Sequence, residues 1–231
     1  MNAQLPLALR WPSWSRFEFF DAEGADEGVV PSLELAAADP AAPWTFVTGP
    51  AGCGKTHLLV ATCHAATECG RRAQYISAAE FRIDVQRLRT LGGSDLLAID
   101  DLQCLAGDAA AEHALFDLYN RCRAESATML FAATESAVAL PLGLADLRSR
   151  LAACAQGRVR VLAEPARRAI LKQRAEARGI ELDAAALDWL FTYHARDIGS
   201  LVALLERIDQ ASLAARRRVT VPFLRDLLGG S

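Results

Sequence analysis

The chain has 231 residues, 52% of them apolar, with 25 basic against 28 acidic side chains and a net charge of −3. That is enough apolar material for one large core, or for a nucleotide domain with a small appendage, and too much for a disordered chain. The slight negative balance excludes broad electrostatic attraction to nucleic acid, so a DNA contact needs a local basic patch or a partner that carries it.

No apolar run approaches the ~18 residues of a membrane span. Met1 to Leu9 has neither the basic nor the apolar region of a signal peptide. The six cysteines show no C-x-x-C pair and no zinc spacing. The expectation is a cytoplasmic protein with no membrane contact and reduced, core-packed thiols.

In chain order, "AQLPLALRWP" comes first. Gln4, Leu5, Leu7 and Leu9 form an apolar peptide that Pro6 keeps from being helical. Such a peptide suits either docking in a groove or packing on its own domain. Phe17, Phe19, Phe20 and Val30 follow as candidate apolar walls for a base. "ELAAADPAAP" (34–43) reads as a helix end and a loop.

Short β-rich runs then alternate with helical spacing. "WTFVT" (44–48), "AQYIS" (73–77), "DLLAI" (95–99), "TMLFAA" (128–133) and "RVRVL" (158–162) read as strands. Helices are predicted over 56–69, closed by Gly70, and over 112–125. This alternation predicts an α/β domain with a parallel five-stranded sheet covered by helices.

Beyond residue 163 the strand pattern stops. "EPARRAILKQRAEARG" opens with Pro165 and closes at Gly179; Asp183 precedes a second helical run, "IGSLVALLERIDQASLAA" is a third, and Thr220 caps a fourth. The predicted organisation is an extended peptide over 1–9, an α/β domain over 10–162 and a small all-helical domain over 163–231.

"GPAGCGKT" (49–56) fits the phosphate-loop pattern G-x-x-x-x-G-K-S/T, with a strand before it and a helix after it. Its residues are Gly49, Pro50, Ala51, Gly52, Cys53, Gly54, Lys55 and Thr56. The glycines let successive N–H groups turn toward phosphates. Of the 25 basic residues only Lys55 and Lys172 are lysines. A chain so biased to arginine still places a compact ammonium where a planar guanidinium fits poorly. Thr56 and Asp100, the latter ending "LLAID", are candidate ligands of Mg²⁺. Asp101 is a candidate to orient the attacking water, although the usual residue there, Glu, is one methylene longer. Cys53 lies at a helix N-terminus, which lowers a thiol pKa, but reads as a small spacer rather than a reactive thiol. His57 and His64 lack partners in ligand spacing and read as structural.

Together "GPAGCGKTHLL", "LLAIDDLQCLAGD" and "ALFDLYNRC" resemble the DnaA branch of the AAA+ nucleotide-binding proteins. Within that branch the short chain, its N-terminal "QLPLAL" and the lack of a helix-turn-helix segment after the helical domain resemble the regulatory inactivators of replication initiation. The resemblance covers nearly the whole chain, loosely over 10–43. It implies bound ADP or ATP with Mg²⁺ and a helical lid. It implies as partners the DnaA initiator and the sliding clamp, the beta subunit of DNA polymerase III, with DNA reached only through the clamp. Gln4, Leu5, Leu7 and Leu9 resemble the clamp-binding motif. Arg150, in "SRL", corresponds to an arginine finger acting in trans. Thr134 stands where the family places a polar group near the γ-phosphate. The lid arginine of the family is replaced by Gly199, and Arg196, one turn earlier, is a candidate substitute. These departures predict good phosphate binding, weak hydrolysis of the chain's own nucleotide and retention of ADP. An active ATPase or helicase loader is the alternative reading. The oligomeric state is open, a homo-oligomer included.

Overall fold

The computed structural model describes residues 11, 15–21, 24–81, 85–193, 198–215 and 219–228. Five parallel strands, β1 (Thr45–Thr48), β2 (Ala73–Ser77), β3 (Leu96–Asp100), β4 (Thr128–Ala133) and β5 (Ala155–Arg158), form one sheet in the order β2-β3-β4-β1-β5. β1 is flanked on both sides, with Thr45 opposite Leu130 and Ala155, and Thr48 opposite Ala133 and Arg158. All carboxyl ends therefore lie along one edge of the sheet, where ligands bind in open α/β folds.

Two apolar layers sandwich the sheet. On one face, α1 (Val29–Ala38) and α2 (Lys55–Glu68) bury Leu33, Leu58, Leu59 and Cys63 against Val47, Ala98 and Ala132. On the other, after the short helices α3 (Ala78–Phe81) and α4 (Val85–Thr90), come α5 (Ala109–Ala124) and α6 (Ala145–Ala152). They bury Leu115, Leu118, Leu147 and Leu151 on Phe46, Ile99 and Phe131. The strands are buried on both faces, which is why they read as apolar runs rather than as alternation.

Residues 164–228 hold helices only among the described residues: α7 (Glu164–Glu176), α8 (Ala184–Tyr193), α9 (Ile198–Ala215) and α10 (Val221–Leu228). They enclose a separate core around Leu171, Leu190, Leu205 and Leu224. The predicted punctuation is present: Pro165 is in the first turn of α7, Gly179 is left-handed (φ 72°), and Asp183 Oδ1 accepts from the Ala186 N–H at 2.7 Å.

One strand is displaced from its predicted place. The β-branched run 158–162 is not the fifth strand; β5 is "AQGR". Gly157 decides this, because a Cβ there would lie 2.9 Å from Val29 Cγ2, so α1 packs directly on its backbone. Beyond Arg158 the chain passes from β1 to the segment before α1: the Val159 N–H still reaches the Thr48 carbonyl at 2.7 Å, Val159 bridges Ala25, and the Arg160 N–H donates to the Gly24 carbonyl at 2.6 Å, while Val161 is 51% exposed.

Two buried polar side chains fasten loops that carry site residues. Glu112 is 1% exposed. Its carboxylate accepts the N–H groups of Gly107 (2.9 Å), Gly143 (3.1 Å) and Leu144 (2.7 Å), tying the loop after β3 to the start of α6. His57, on α2, donates from Nε2 to the Arg16 carbonyl at 2.9 Å, while its ring stacks on Phe20 at 6.0 Å. His64 reaches the Ser15 carbonyl at 3.2 Å. Both histidines anchor the segment before α1, in line with a structural role.

Burial, with the Arg174 charge adding to it and the Arg16 bond opposing it, lowers the His57 pKa to about 4 from 6.5. Between these values the unfolded chain binds the extra proton, so stability is present above pH 6.5 and is lost as pH falls toward 4. The difference is worth about 3 kcal/mol. We expect the melting temperature to drop steeply from pH 6.5 to 4.5, and His57→Gln to flatten that drop. An unchanged slope in the variant would show that His57 is not the titrating group.

Candidate functional site

The phosphate loop lies at the carboxyl end of β1 and is shaped by contacts that only glycine permits. At Gly49 a Cβ would stand 2.2 Å from the Val159 carbonyl oxygen and 2.7 Å from Cys53 Sγ. Gly52 (φ 73°) and Gly54 (φ 107°) take left-handed backbone angles. Pro50, Ala51 and Gly52 form the exposed rim of the turn. The unpaired N–H groups of the first turn of α2 follow at once, as an anion site requires. Lys55, 6% exposed, folds beneath the loop and donates from Nζ to the Gly49 (2.8 Å) and Pro50 (3.0 Å) carbonyls.

Asp100 ends β3 fully buried. Its Oδ2 accepts from Thr56 Oγ1 at 2.5 Å and from the Tyr75 hydroxyl at 3.0 Å. Burial raises its pKa; the Thr56 bond opposes this and the Asp101 charge adds to it. Nearby positive charge would favour the ionised form. Threonine hydroxyl and carboxylate oxygen are hard donors, so the pair fits Mg²⁺ held partly by phosphates. Among the described residues no three His, Cys, Asp or Glu side chains group as a metal cage.

Asp101 sits in the left-handed region (φ 57°), rare for a non-glycine residue. Its carboxylate accepts from Ser77 Oγ and from Gln103 Nε2, each at 3.1 Å, and Gln103 Oε1 accepts the Thr134 N–H at 3.2 Å. Gln103 therefore bridges the acid to the end of β4. Sequence reading missed it, although a carboxamide two residues after the acid was the available signal. Glu135, next to Thr134, is exposed.

The base side differs from expectation. Phe19 and Phe20 line a 30 Å³ cavity beside Gly52–Gly54, with Leu162, Ile170 and Arg174 opposite. Phe17 and Val30 instead pack on the apolar cluster under α2. The Phe20 ring lies so close to Gly54 that a Cβ there would meet it at 2.9 Å. A cavity of this size holds about one water, so a purine enters only if Phe20 or α7 shifts. Arg174, from α7, is 3% exposed and donates from Nη2 to the Phe19 carbonyl at 2.7 Å. Burial, then the Arg178 charge, lowers its pKa to about 10. A lid cation thus reaches the cavity from α7.

Cys53 is 6% exposed, and burial raises its thiol pKa against the opposing Lys55 charge. The helix-terminus argument for a reactive thiol fails here, because desolvation outweighs it; Cys53 is a spacer. Arg196, Gln4, Leu5, Leu7 and Leu9 lie outside the described residues.

Arg150 is remote from this edge. It lies in the last turn of α6, on the side where β1 and β5 begin, beside Trp44 and Cys154. The length of β1, roughly 13 Å at about 3.3 Å per residue, separates that side from the phosphate loop. Its Nη1 donates to Asn120 Oδ1 at 2.8 Å, and its Cζ lies 4.8 Å from the Phe116 ring centre and 5.4 Å from that of Tyr119. Leu144, Leu147 and Leu151 share the inward face of α6, as predicted. Arg148 turns back to the Leu142 carbonyl at 3.2 Å.

Among the described residues no helix is long and apolar enough to cross a membrane. Two family models match the chain: the bacterial DnaA ATPase domain over residues 27–157 and the Hda lid domain over residues 164–228. An uncharacterized protein of Haemophilus influenzae is 33% identical over 230 residues, 99% of each chain. Domain III of the Thermotoga maritima replication initiation protein DnaA superposes with a TM-score of 0.72 at 20% identity, covering 95% of this chain and 97% of that one. AMPPCP-bound DnaA from Aquifex aeolicus gives 0.63 at 22% identity, over 85% and 66%. The Thermotoga maritima RuvB Holliday junction branch migration motor gives 0.58 at 19%, over 95% and 72%. The structural likenesses, all below a quarter identical, speak to the fold alone. The two family models carry the assignment: the chain belongs to the Hda-like, DnaA-related AAA+ replication regulators.

Proposed function

We propose that this chain is a negative regulator of replication initiation that stimulates ATP hydrolysis on the DnaA initiator, in concert with the DNA-loaded sliding clamp. The observation that carries this reading is the placement of Arg150 at the sheet edge opposite its own phosphate loop. A guanidinium fixed there by Asn120, Phe116 and Tyr119 serves a nucleotide held by a neighbouring molecule. Inserted beside a foreign γ-phosphate, it stabilises charge developing on the transferred group.

The chain's own site plays a conformational part. Gly49–Thr56 and Lys55 grip ADP or ATP, and Thr56 with Asp100 hold Mg²⁺, which would neutralise phosphate charge when bound. Asp101 is short for orienting water, and the family's lid arginine is replaced by Gly199, so own-site turnover is slow and ADP is retained. Residues 1–9 form the clamp-binding peptide, with Gln4 donating and accepting hydrogen bonds and Leu5, Leu7 and Leu9 filling apolar pockets. The α/β domain over 10–162 and the lid over 163–231 set how Arg150 is presented. DNA is reached through the clamp, in the cytoplasm.

A second reading, an active ATPase or helicase loader, is favoured by the unbroken chain of bonds from Thr56 through Asp100, Asp101 and Gln103 to Thr134. Turnover by the isolated chain at ordinary ATPase rates, removed by Lys55→Ala, would establish it in place of the first.

In a reconstituted assay with initiator–ATP, clamp and DNA, Arg150→Ala is expected to lower stimulated hydrolysis by ~10³-fold or more, with nucleotide and clamp binding unchanged. Full stimulation by that variant would end the reading. Gln4→Ala combined with Leu7→Ala is expected to lose capture on immobilised clamp while keeping the wild-type melting temperature. Undiminished capture would remove the role given to residues 1–9.

A further inference from the structure

Arg150 does not stand alone at its edge of the sheet. It shares a cavity of about 400 Å³ with Trp44, Tyr119, Arg123 and Cys154, and no carboxylate lines that cavity. Phe116, Tyr119, Asn120 and Arg123 follow one another at helical spacing on a single face of α5. The second guanidinium is thus one turn further along the face that holds the first. Its Cζ lies over the Trp44 ring at 5.7 Å, and Trp44 in turn meets Tyr119 edge-on at 4.5 Å. Neither Arg123 nor Arg150 forms an ion pair among the described residues. Both act on one phenol: burial first, then Cys154, raises the Tyr119 pKa, and the two guanidiniums oppose the rise.

Two like charges on one aromatic-walled cavity, with no acid between them, repel each other until an anion arrives. One negative charge serves one guanidinium; a group spanning both needs several charged oxygens along its length, as a polyphosphate has. Other arginines of α5 and α6 are engaged elsewhere: Arg121 donates to the Leu91 carbonyl and Arg148 to that of Leu142. Arg123 is exposed and faces the open cavity.

We infer that Arg123 is a second trans-acting cation, which grips the triphosphate of the partner's bound nucleotide while Arg150 meets its γ-phosphate. The inference rests on the trans-acting role proposed for Arg150. It adds a residue that the sequence did not single out. Trp44 serves as the platform that holds the guanidinium plane, by cation–π attraction.

The test compares Arg123→Ala, Arg123→Lys and Arg150→Ala, each as the full chain, in the reconstituted hydrolysis assay. Expected is a ~10–100-fold loss of stimulated rate in Arg123→Ala, the scale of one charge-assisted hydrogen bond. Partial recovery is expected in Arg123→Lys, with ADP binding, clamp capture and melting temperature at wild-type values. Wild-type stimulation by Arg123→Ala, beside a silent Arg150→Ala, would overturn the inference and leave the trans-acting finger standing. A fully active Arg150→Ala would instead remove the finger and this inference with it. A second arm titrates inorganic tripolyphosphate into Lys55→Ala, whose own phosphate loop is disabled. Saturable binding there that Arg123→Ala abolishes, without any effect of Arg123→Ala on stimulated hydrolysis, would assign the cavity to free polyphosphate and overturn the partner's nucleotide as its ligand.

Discussion

The phosphate end of the molecule depends on how closely two backbones approach at Gly49. Its N–H donates to the Ala133 carbonyl on β4 at 3.2 Å, and its α-carbon faces the Val159 carbonyl across β5, with no room for a methyl group. The Val159 N–H donates to the Thr48 carbonyl at 2.7 Å, and Thr48 Oγ1 to the Gly157 carbonyl at 3.1 Å. The loop therefore starts from a point pinned on both sides. From there Gly52 and Gly54 turn it in front of α2, and Lys55 closes it from beneath. A side chain at Gly49 would push β5 away and lose the pin that orients the rest.

The sheet separates two kinds of chemistry. Its carboxyl edge gathers the groups proposed to bind a nucleotide: the loop, the Thr56–Asp100 pair and the Asp101–Gln103–Thr134 bridge. Its amino edge carries the Arg150 guanidinium, packed on rings and an amide rather than neutralised by a carboxylate. Glu112 joins the two. Its carboxylate accepts N–H groups both from the loop leaving β3 and from the loop entering α6. A buried carboxylate with three donors resists removal, since any of them left unpaired costs about 1–3 kcal/mol. The loop after the acid pair and the start of the helix bearing Arg150 are thus held to one carboxylate.

Much of the architecture was legible in the chain because it rests on local rules. Strands buried on both faces appear as unbroken apolar runs, and four of the five were placed within a residue. The helical domain announced itself through Pro165, Gly179, Asp183 and Thr220, each acting on its own backbone. The fifth strand was misplaced because "RVRVL" has the stronger β-propensity, whereas pairing with β1 selects "AQGR", where Gly157 lets α1 sit against the sheet. Arg71 shows the same limit. It bonds the Ala36, Ala37 and Asp95 carbonyls and Thr128 Oγ1, joining four segments, and nothing local marks it.

By itself the sequence determined that a phosphate-loop motif is present, that a strand feeds it and a helix follows, and that an all-helical unit comes after. Glycine conformation, proline placement and apolar period are set within a few residues, so they can be read there. Only the tertiary structure decided that Phe20 and Arg174 meet over the loop, that Gln103 links Asp101 to Thr134, and that Arg123 and Arg150 share one cavity far from the phosphate loop. Those pairings join residues separated by up to about 150 positions. They follow from sheet order and helix packing, which no short window of residues encodes.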